Sequence, residues 1–214
     1  MTDWLLTRLP VGPLAVNAYL LESPATGEAA LFDPGDEPQR LLARLAKGGC
    51  RLSLLAATHG HFDHVGAAAA IQAVHDVPLL LHPLDLPLVN DMPAHQAHLG
   101  FPVTARPRCR AQLADGEEIP FGGRHLKVKH VPGHTPGHVM FAWDALALVG
   151  DLIFAGSVGR TDLPGGDLAA LTRSIRERVY GLAPATKLHP GHGPATTVGA
   201  EMAGNPFVRP REAG

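Results

Sequence analysis

A dense cluster of metal-ligating side chains constrains this chain more than any other feature. Residues 58–64 read T-H-G-H-F-D-H and place His59, His61, Asp63 and His64 within six positions. Imidazole and carboxylate groups suit a divalent metal that prefers nitrogen and oxygen ligands. His59 and His61 cannot share a helix face, but both can point the same way from extended or loop backbone. Because one ion would struggle to use all four groups, the spacing favours two adjacent metals.

The segments around this cluster predict many short elements joined by turns. The 24 glycines and 20 prolines among 214 residues argue against a compact all-helical fold, and the 45% apolar content supplies a substantial core. Strands, then a helix, a strand and a helix are predicted in the first half, and the second half repeats a similar order. This order predicts two sheets packed face to face with helices outside. Helices are predicted over 37–47, from Asp63 through the Ala-rich run, and over 167–182.

The segment 82–107 is rich in proline and histidine and has weak periodicity. We interpret it as a loop with one short helix over 92–99. Long loops in compact domains often cover functional sites, although ordinary surface structure explains this one equally well.

Three later strands each end in a turn that carries a candidate ligand. The motif P-G-H-T-P-G-H presents His134, Gly150 is followed by Asp151, and H-P-G-H-G-P presents His192. Since rigid strand ends commonly build sites, we expect these turns to converge with the T-H-G-H-F-D-H loop along one edge. Seven nitrogen and oxygen ligands without a thiolate predict two metals about 3.5–4 Å apart with a bridging carboxylate, rather than a closed structural zinc site.

These motifs closely resemble those of the metallo-β-lactamase superfamily, and within it the short glyoxalase II-type hydrolases. The resemblance covers nearly the whole chain. It includes Asn17-Ala18-Tyr19-Leu20, Asp33-Pro34-Gly35, the T-H-G-H-F-D-H loop, G-H-T-P-G-H, Gly150-Asp151, Gly159-Arg160-Thr161-Asp162, H-P-G-H-G-P and Asn205-Pro206-Phe207.

The resemblance implies an α/β fold, the four-layer αββα sandwich, as one domain over residues 1–214. It also implies that two divalent metal ions are bound, with zinc expected and iron or manganese also compatible with the ligands. A hydroxide bridging the metals would attack a thioester such as a hydroxyacylglutathione, giving a 2-hydroxy acid and a free thiol. Asp63 would bind metal and also act as a catalytic proton shuttle. The implied ligands are His59, His61 and His134 on one metal, Asp63, His64 and His192 on the other, and Asp151 bridging both.

The chain departs from full-length glyoxalase II after His192. Those enzymes have an additional C-terminal helical region whose basic residues bind glutathione. Here only about twenty residues follow, including Arg209 and Arg211, so the thiol carrier is open. Arg160 is the candidate for binding a substrate carboxylate, and a structural ion pair with Asp162 is the alternative.

Three other functions are compatible with the same residues. A persulfide dioxygenase of this superfamily would hold one iron on His59, His134 and Asp151. A lactonase or esterase would use the same hydroxide, whereas β-lactamases that bind two metals commonly place Cys where Asp151 stands and are exported. A metal-stabilised scaffolding module is the non-enzymatic alternative.

The remaining features favour an ordinary cytoplasmic protein. A net charge of −2 does not favour nucleic-acid or anionic-membrane binding, so a small-molecule thioester is the expected partner. The N-terminus has an acid at position 3 and lacks a secretory pattern. Cys50 and Cys109 form no motif and are interpreted as free thiols. His138 and His189 flank ligand turns and either orient a ligand or simply pack.

Overall fold

Two six-stranded sheets form the centre of the molecule. The computed structural model describes residues 4–210. In the first sheet, β1 to β3 run antiparallel and β3 to β6 run parallel. Its strands are β1 (Leu5–Val11), β2 (Val16–Ser23), β3 (Glu28–Phe32), β4 (Arg51–Ala56), β5 (Leu79–Leu81) and β6 (Cys109–Ala111).

The second sheet has the order β14-β13-β10-β9-β8-β7. Only its β10–β13 pair is parallel. Gly122 and Gly123 both have positive φ and form the tight β7–β8 hairpin. Its strands are β7 (Glu118–Phe121), β8 (Arg124–His130), β9 (Val139–Trp143), β10 (Leu146–Gly150), β13 (Lys187–Pro190) and β14 (Thr196–Thr197), and a separate hairpin pairs β11 (Ile153–Phe154) with β12 (Ser157–Val158).

The alternation of side chains along the strands builds three apolar layers and confirms the αββα sandwich. On β3, Phe32 faces the second sheet whereas Leu31 faces the helices, because successive residues point to opposite faces. On β9, Phe141 packs between the sheets and Met140 packs against the helices of the second sheet. The Phe32 and Phe141 rings meet across the central layer with their centroids 4.9 Å apart.

Helices cover both outer faces. The first sheet carries α1 to α4, and the second carries α5, a π-helical turn and α6. The helix predicted over 37–47 is present one residue later. The bounds are α1 (Pro38–Gly48), α2 (Phe62–Val65), α3 (Ala68–Gln72), α4 (Leu86–His98), α5 (Leu168–Ser174) continued by the π-helical turn Ile175–Val179, and α6 (Val198–Gly204).

The Ala-rich helix predicted from Asp63 is broken into α2 and α3. The N–H of Ala67 donates to the carbonyl of Pro34 at 2.9 Å instead of continuing the helix. A Cβ on Gly66 would lie 2.6 Å from the carbonyl oxygen of Gly35. The close approach of the Asp33-Pro34-Gly35 turn therefore interrupts a run whose composition favours one helix.

The prediction for 82–107 was wrong in its first half. A 3₁₀ turn (Pro83–Asp85) leads into α4, which begins at Leu86 rather than near residue 92. Pro87 falls in the first turn, where the missing N–H costs no intrahelical bond. Val89 and Met92 are buried three residues apart and dock α4 onto the core of the first sheet. Residues 99–107 form the predicted loop.

Neither cysteine of the chain is in a disulfide, as the sequence predicted. Cys50 and Cys109 are both half-buried at the edge of the layer between the first sheet and its helices. Burial raises the pKa of the Cys109 thiol to about 11, so this thiol is protonated at neutral pH. Within residues 4–210 no helix combines the length and hydrophobicity needed to cross a lipid bilayer.

Candidate metal centre

The loop after β4 and the loop after β8 bring three imidazoles together. His59 Nε2 lies 3.1 Å from His61 Nδ1, which lies 3.0 Å from His134 Nε2. All three residues are buried. Nitrogens bound to one tetrahedral zinc ion at about 2.0–2.1 Å are roughly 3.3 Å apart, so this triad has nearly the spacing that a single metal requires.

A second triad lies beside the first. Asp63 and His64 come from α2, and His192 comes from the turn after β13. His192 Nε2 is 3.4 Å from Asp63 Oδ2, and His64 Nε2 is 3.8 Å from the same oxygen. One carboxylate and two imidazoles thus face a common point, and this second triad is more open because the His192 side chain is 29% exposed.

Asp151, which directly follows β10, lies between the triads. Its Oδ2 is 3.6 Å from both His134 Nε2 and His192 Nε2, and its Oδ1 is 3.4 Å from His64 Nε2. A Cβ on Gly191 would lie 2.1 Å from Asp151 Oδ1 and 2.6 Å from His64 Cε1. Only glycine therefore permits the β13 turn to approach this carboxylate so closely.

The seven predicted side chains thus all converge, as the strand-end pattern predicted. Their donor atoms fit divalent metals. His64 Nε2 and Asp151 Oδ1 are fully buried and lack a hydrogen-bond partner among the described residues. Buried polar atoms without partners are costly, so a group that accepts their lone pairs is implied. The three groups whose ligand atoms lie within 4.8 Å of one another are His59–His61–His134, His59–His64–Asp151 and Asp63–His64–His192.

The electrostatics of the two triads differ. Burial, together with neighbouring imidazoles, holds the pKa of His59 well below its usual range and lowers that of His61 to about 3. Burial also opposes charge on Asp63, Asp151 and His64, but there it is outweighed by attraction between opposite charges. The pKa of Asp63 and of Asp151 is therefore lowered and that of His64 is raised. His59 and His61 thus offer neutral lone pairs, whereas the two carboxylates remain ionised.

Backbone carbonyls and one buried carboxylate orient the ligand rings. His134 Nδ1 donates to the carbonyl of Arg160 at 2.8 Å, and His192 Nδ1 donates to that of Leu14 at 3.0 Å. In both rings this leaves Nε2 with its lone pair directed into the cluster.

Asp33 supports His59 and His64 from the end of β3. It accepts from the Thr58 N–H at 2.7 Å and from the Thr58 hydroxyl at 3.0 Å, and that hydroxyl lies 3.1 Å from His59 Nδ1. Its Oδ2 is also 3.2 Å from His64 Nδ1. The sequence predicted only a turn at Asp33. Its place at the end of a strand beside β4 is the signal that could have identified it.

Asp85 fixes the two loops of the first triad to each other. Its carboxylate is fully buried and accepts from Gly60 N at 2.9 Å, Thr135 Oγ1 at 2.6 Å and Gly137 N at 2.6 Å. Asp85 occupies the N-cap position of α4, yet its side chain does not cap the helix. Sequence reasoning missed this residue because 82–107 was interpreted mainly as loop. An Asp two residues before a proline is a helix-start signal that could have located it.

His138 and His189 have different surroundings. The His138 ring is fully buried, with its centroid 5.1 Å from that of His59, and neither of its ring nitrogens has a hydrogen-bond partner among residues 4–210. His138 therefore packs against a ligand ring rather than orienting it by a hydrogen bond. His189 contacts Tyr19 instead, with ring centroids 5.6 Å apart, and so packs away from the triads.

A cleft of about 620 Å³ opens above the cluster. His61, Asp63, His134, Asp151 and His192 form its floor. Its walls come mainly from the end of α4, the following loop and the β11–β12 hairpin. The wall residues are Leu14, Phe62, His95, Leu99, Phe101, Phe154, Ser157, Val158, Arg160 and Leu163.

Arg160 lies on the cleft wall but is already paired. Its Nε and Nη2 each donate to the Asp162 carboxylate at 2.7 Å, and both side chains are more than half exposed. The structure thus contains the ion pair that the sequence left as an alternative. Arg209 is not among the described cleft-lining residues, because its guanidinium donates to the carbonyl of Ala203. Arg211 lies outside the described residues.

Residues 11–197 match the family described as the Metallo-beta-lactamase superfamily. The chain belongs to this superfamily. Three relatives support the assignment. The probable metallo-hydrolase YqgX of Bacillus subtilis is 37% identical over 94% of this chain and 96% of its own length. The hydroxyacylglutathione hydrolase GloC of Haemophilus influenzae is 37% identical over 84% and 87%. A hydroxyacylglutathione hydrolase of Anaeromyxobacter dehalogenans is 37% identical over 81% of this chain but only 60% of its own length.

Solved structures of the superfamily have the same fold. The B3 metallo-beta-lactamase BLEG-1 is 36% identical, with a TM-score of 0.88 over 95% of this chain and 99% of that one. TTHA1623 in a di-iron-bound form is 44% identical, with a TM-score of 0.85 over 94% and 100%. ETHE1 from Myxococcus xanthus is 23% identical, with a TM-score of 0.78 over 94% and 83%, and this likeness concerns the fold alone. The protein is therefore a metallo-hydrolase of this superfamily with a His/Asp cluster for divalent metals.

Proposed function

We propose that this protein is a binuclear metal-dependent thioester hydrolase of the glyoxalase II type. The observation that carries the proposal is the position of Asp151 between two complete triads at the floor of an open cleft. The relatives named as hydroxyacylglutathione hydrolases support the thioester as substrate. One metal would be held by His59, His61 and His134, the other by Asp63, His64 and His192, and Asp151 would bridge the pair.

Two bound divalent cations supply a low-pKa water and polarise a carbonyl oxygen. The side chains of this chain provide the rest. Asp63 faces the cleft with its carboxylate ionised, so it accepts a proton or hydrogen bond beside the reacting carbonyl. Phe62, Leu99 and Phe101 limit the access of bulk water from one wall. The thiolate product leaves without prior protonation, which is why a thioester requires no separate general acid here.

The test combines metal content with turnover. We expect close to two zinc, iron or manganese ions per chain, together with hydrolysis of lactoylglutathione that a chelator abolishes and added metal restores. His64→Ala should lower both metal content and rate. The matched control is His98→Ala, which changes an exposed histidine on α4 and should change neither. A fully metal-loaded protein that cleaves no thioester would refute the proposal.

The persulfide dioxygenase hypothesis requires one iron on His59, His134 and Asp151. His61 lies close to His59 and His134, and the ligand atoms of Asp63, His64 and His192 also lie close together, and both features support two metals. The likeness to ETHE1 does not distinguish the activities, because it is a likeness of fold. One iron per chain with oxygen uptake on glutathione persulfide would favour the dioxygenase.

A second candidate function is β-lactam hydrolysis, and the similarity to BLEG-1 favours it. With metal bound, the same floor would activate a water for attack on a strained amide or a lactone instead of a thioester. A panel with one thioester, one lactone and one β-lactam at equal metal loading separates these reactions by their kcat/KM ratios. If none of the three is cleaved, the structural-module alternative becomes the better interpretation.

A further inference from the structure

The walls of the cleft are mostly apolar, and their arrangement is uneven. On one side, Phe62 packs against Phe101 with ring centroids 5.0 Å apart, and Leu99 and Leu14 lie at the rim. On the other side, Phe154, Val158 and Leu163 stand among Ser157 and Arg160. A ligand on the floor therefore meets a mainly apolar wall on the side of Phe62, where the one polar ring among the described residues is that of His95, 5.6 Å from the Phe62 ring between centroids.

Two of these side chains are leucines that are largely exposed to solvent. Leu99 is 50% exposed and Leu14 is 42% exposed, and both border the cleft. Single exposed leucines are common on protein surfaces, but here they extend an apolar wall that already contains two phenylalanines. A ligand group that covered them would remove apolar area from water and gain affinity.

Away from the metal-ligating floor, the walls of the cleft have little positive charge with which to bind an anionic substrate. Arg160 is the single permanent cation among its described lining residues, and Asp162 already satisfies its guanidinium. The two carboxylates of the lining, Asp63 and Asp151, belong to the metal-ligating cluster. A glutathionyl group carries two carboxylates, and neither would find an unpaired cation on these walls.

We propose that the preferred thioester carries an uncharged, apolar alkyl or aryl group next to the reacting carbonyl or sulfur, lodged against Phe62, Leu99 and Phe101. The inference rests on the proposed thioester hydrolysis and narrows its substrate class. The apolar group can be the acyl chain or the thiol carrier. In both cases its recognition is the same burial against this wall, and the two sources are separable by experiment.

The acyl arm compares hexanoyl with lactoyl and acetyl groups on one small uncharged thiol, N-acetylcysteamine. An apolar pocket discriminates by roughly 10-fold or more when several methylenes are added. We therefore expect kcat/KM for the hexanoyl thioester to exceed that for the lactoyl thioester by at least about 10-fold. The thiol arm compares acetyl thioesters of hexanethiol and N-acetylcysteamine. A preference confined to one arm identifies the side of the substrate that contacts the wall.

Substitutions on the Phe62 side of the cleft test whether these side chains cause the preference for the hexanoyl thioester. Phe101→Ala and Leu99→Ala should each reduce the ratio of hexanoyl to lactoyl kcat/KM several-fold. Leu99 is half exposed, so its substitution tests the wall even if Phe101→Ala does not fold. The matched control is Val103→Ala, because Val103 lies in the same loop, is 58% exposed and does not line the cleft.

A binding measurement gives a readout that does not depend on turnover. Calorimetry on the metal-loaded protein, which cannot hydrolyse a thioether, should show tighter binding of S-hexylglutathione than of S-methylglutathione, with a more negative heat-capacity change. The inference would be overturned, and thioester hydrolysis left standing, by three results together: equal rates for the hexanoyl and lactoyl thioesters, equal rates for the hexanethiol and N-acetylcysteamine thioesters, and equal binding of the two thioethers. Absence of turnover for every thioester would overturn the proposed function and this inference with it.

Discussion

The two triads of the cluster both present metal-ligating side chains, but they differ in burial and in charge. The first triad consists of imidazoles alone, is buried, and is fixed by Asp85 between the loops after β4 and β8. The second triad contains the carboxylate of Asp63, is partly exposed, and has a His192 ring held by a carbonyl of the β1–β2 turn. Rigid, neutral ligands on one side face an open, charged group on the other.

This difference indicates that the two triads have different roles. A buried triad of imidazoles binds a metal with little reorganisation, because its rings are already placed. The Asp63 carboxylate is partly buried but lines the cleft, so it is accessible to substrate and to solvent protons. We therefore expect the first triad to determine metal retention and the second triad to contribute more directly to the reaction.

The largest effect on metal content and turnover should come from substituting Asp151, the carboxylate that lies between the two triads. Asp151→Asn keeps the shape of the side chain but removes the negative charge between the triads. We expect metal content to fall below one per chain and kcat to drop on the order of 1,000-fold. Metal analysis and kinetics on the purified variant check this. Retention of two metals and normal turnover would show that Asp151 does not bridge.

Asp85→Ala should weaken metal binding at the first triad selectively. It leaves the N–H groups of Gly60 and Gly137 buried without an acceptor, which costs roughly 1–3 kcal/mol for each donor. We expect weaker metal binding at the first triad, a rate about 10- to 100-fold lower, and reduced stability towards urea.

Two further variants interpret that result. Asp85→Asn retains an acceptor oxygen, so its metal binding, rate and stability should fall less than those of the alanine variant. Asp91→Ala removes an exposed carboxylate from the same helix and should behave as the wild-type protein. Equal losses for the Asn and Ala variants would mean that the charge of Asp85, rather than its hydrogen bonds, is what matters.

The pH dependence of the metal-free protein should reveal the first triad. The folded-state pKa of His61 is lowered to about 3 by burial and by His134, against 6.5 for the unfolded chain, and that of His59 is also lowered. Below pH 6.5 the unfolded state therefore binds more protons, and stability falls as the pH decreases. The His64 pKa is raised, so its opposite contribution is present at low pH and lost as the pH rises.

Urea unfolding between pH 8 and pH 5 measures this balance. In His61→Gln, the decrease in the free energy of unfolding between pH 8 and pH 5 should be smaller by roughly 1–2 kcal/mol at pH 5. An unchanged pH profile in that variant would contradict the assignment of a neutral, buried first triad. The measurement uses the apo protein because bound metal would itself compete with protons.

The smallest effect is expected for Arg160→Gln. The backbone carbonyl of Arg160, not its side chain, holds His134 at 2.8 Å, and the guanidinium forms an exposed ion pair with Asp162. Metal content and unfolding midpoint should therefore be unchanged, since exposed pairs contribute little. A rise in KM confined to anionic thioesters would show that Arg160 contacts substrate, whereas loss of metal would show a larger structural role.

Strand-end motifs made much of the site predictable. Each of His134, Asp151 and His192 comes shortly after a strand and directly follows a glycine, so convergence at one edge could be inferred without coordinates. The sandwich was predictable for the same reason, because the order of elements repeats in the two halves. The separation of α2 from α3 was not, since it results from a contact with the distant Asp33-Pro34-Gly35 turn.

The contacts of the supporting residues were not predictable, because their own neighbourhood marks at most a helix start or a strand end and not the groups that they bind. Asp85 is 25 residues from Gly60 and 52 from Gly137, and only the docking of α4 brings its carboxylate between the two ligand loops. The His134 and His192 rings are oriented by backbone carbonyls, which every residue possesses and no sequence pattern distinguishes.

The sequence by itself determined which side chains can ligate metal and which strands deliver them, because imidazole and carboxylate chemistry and strand periodicity are local properties. Tertiary structure alone decided that one triad is buried and neutral while the other is open and charged. It also decided that the cleft above them is apolar. Burial, orientation and the separation of charges depend on packing between elements far apart in the chain, and that packing is set by the whole fold.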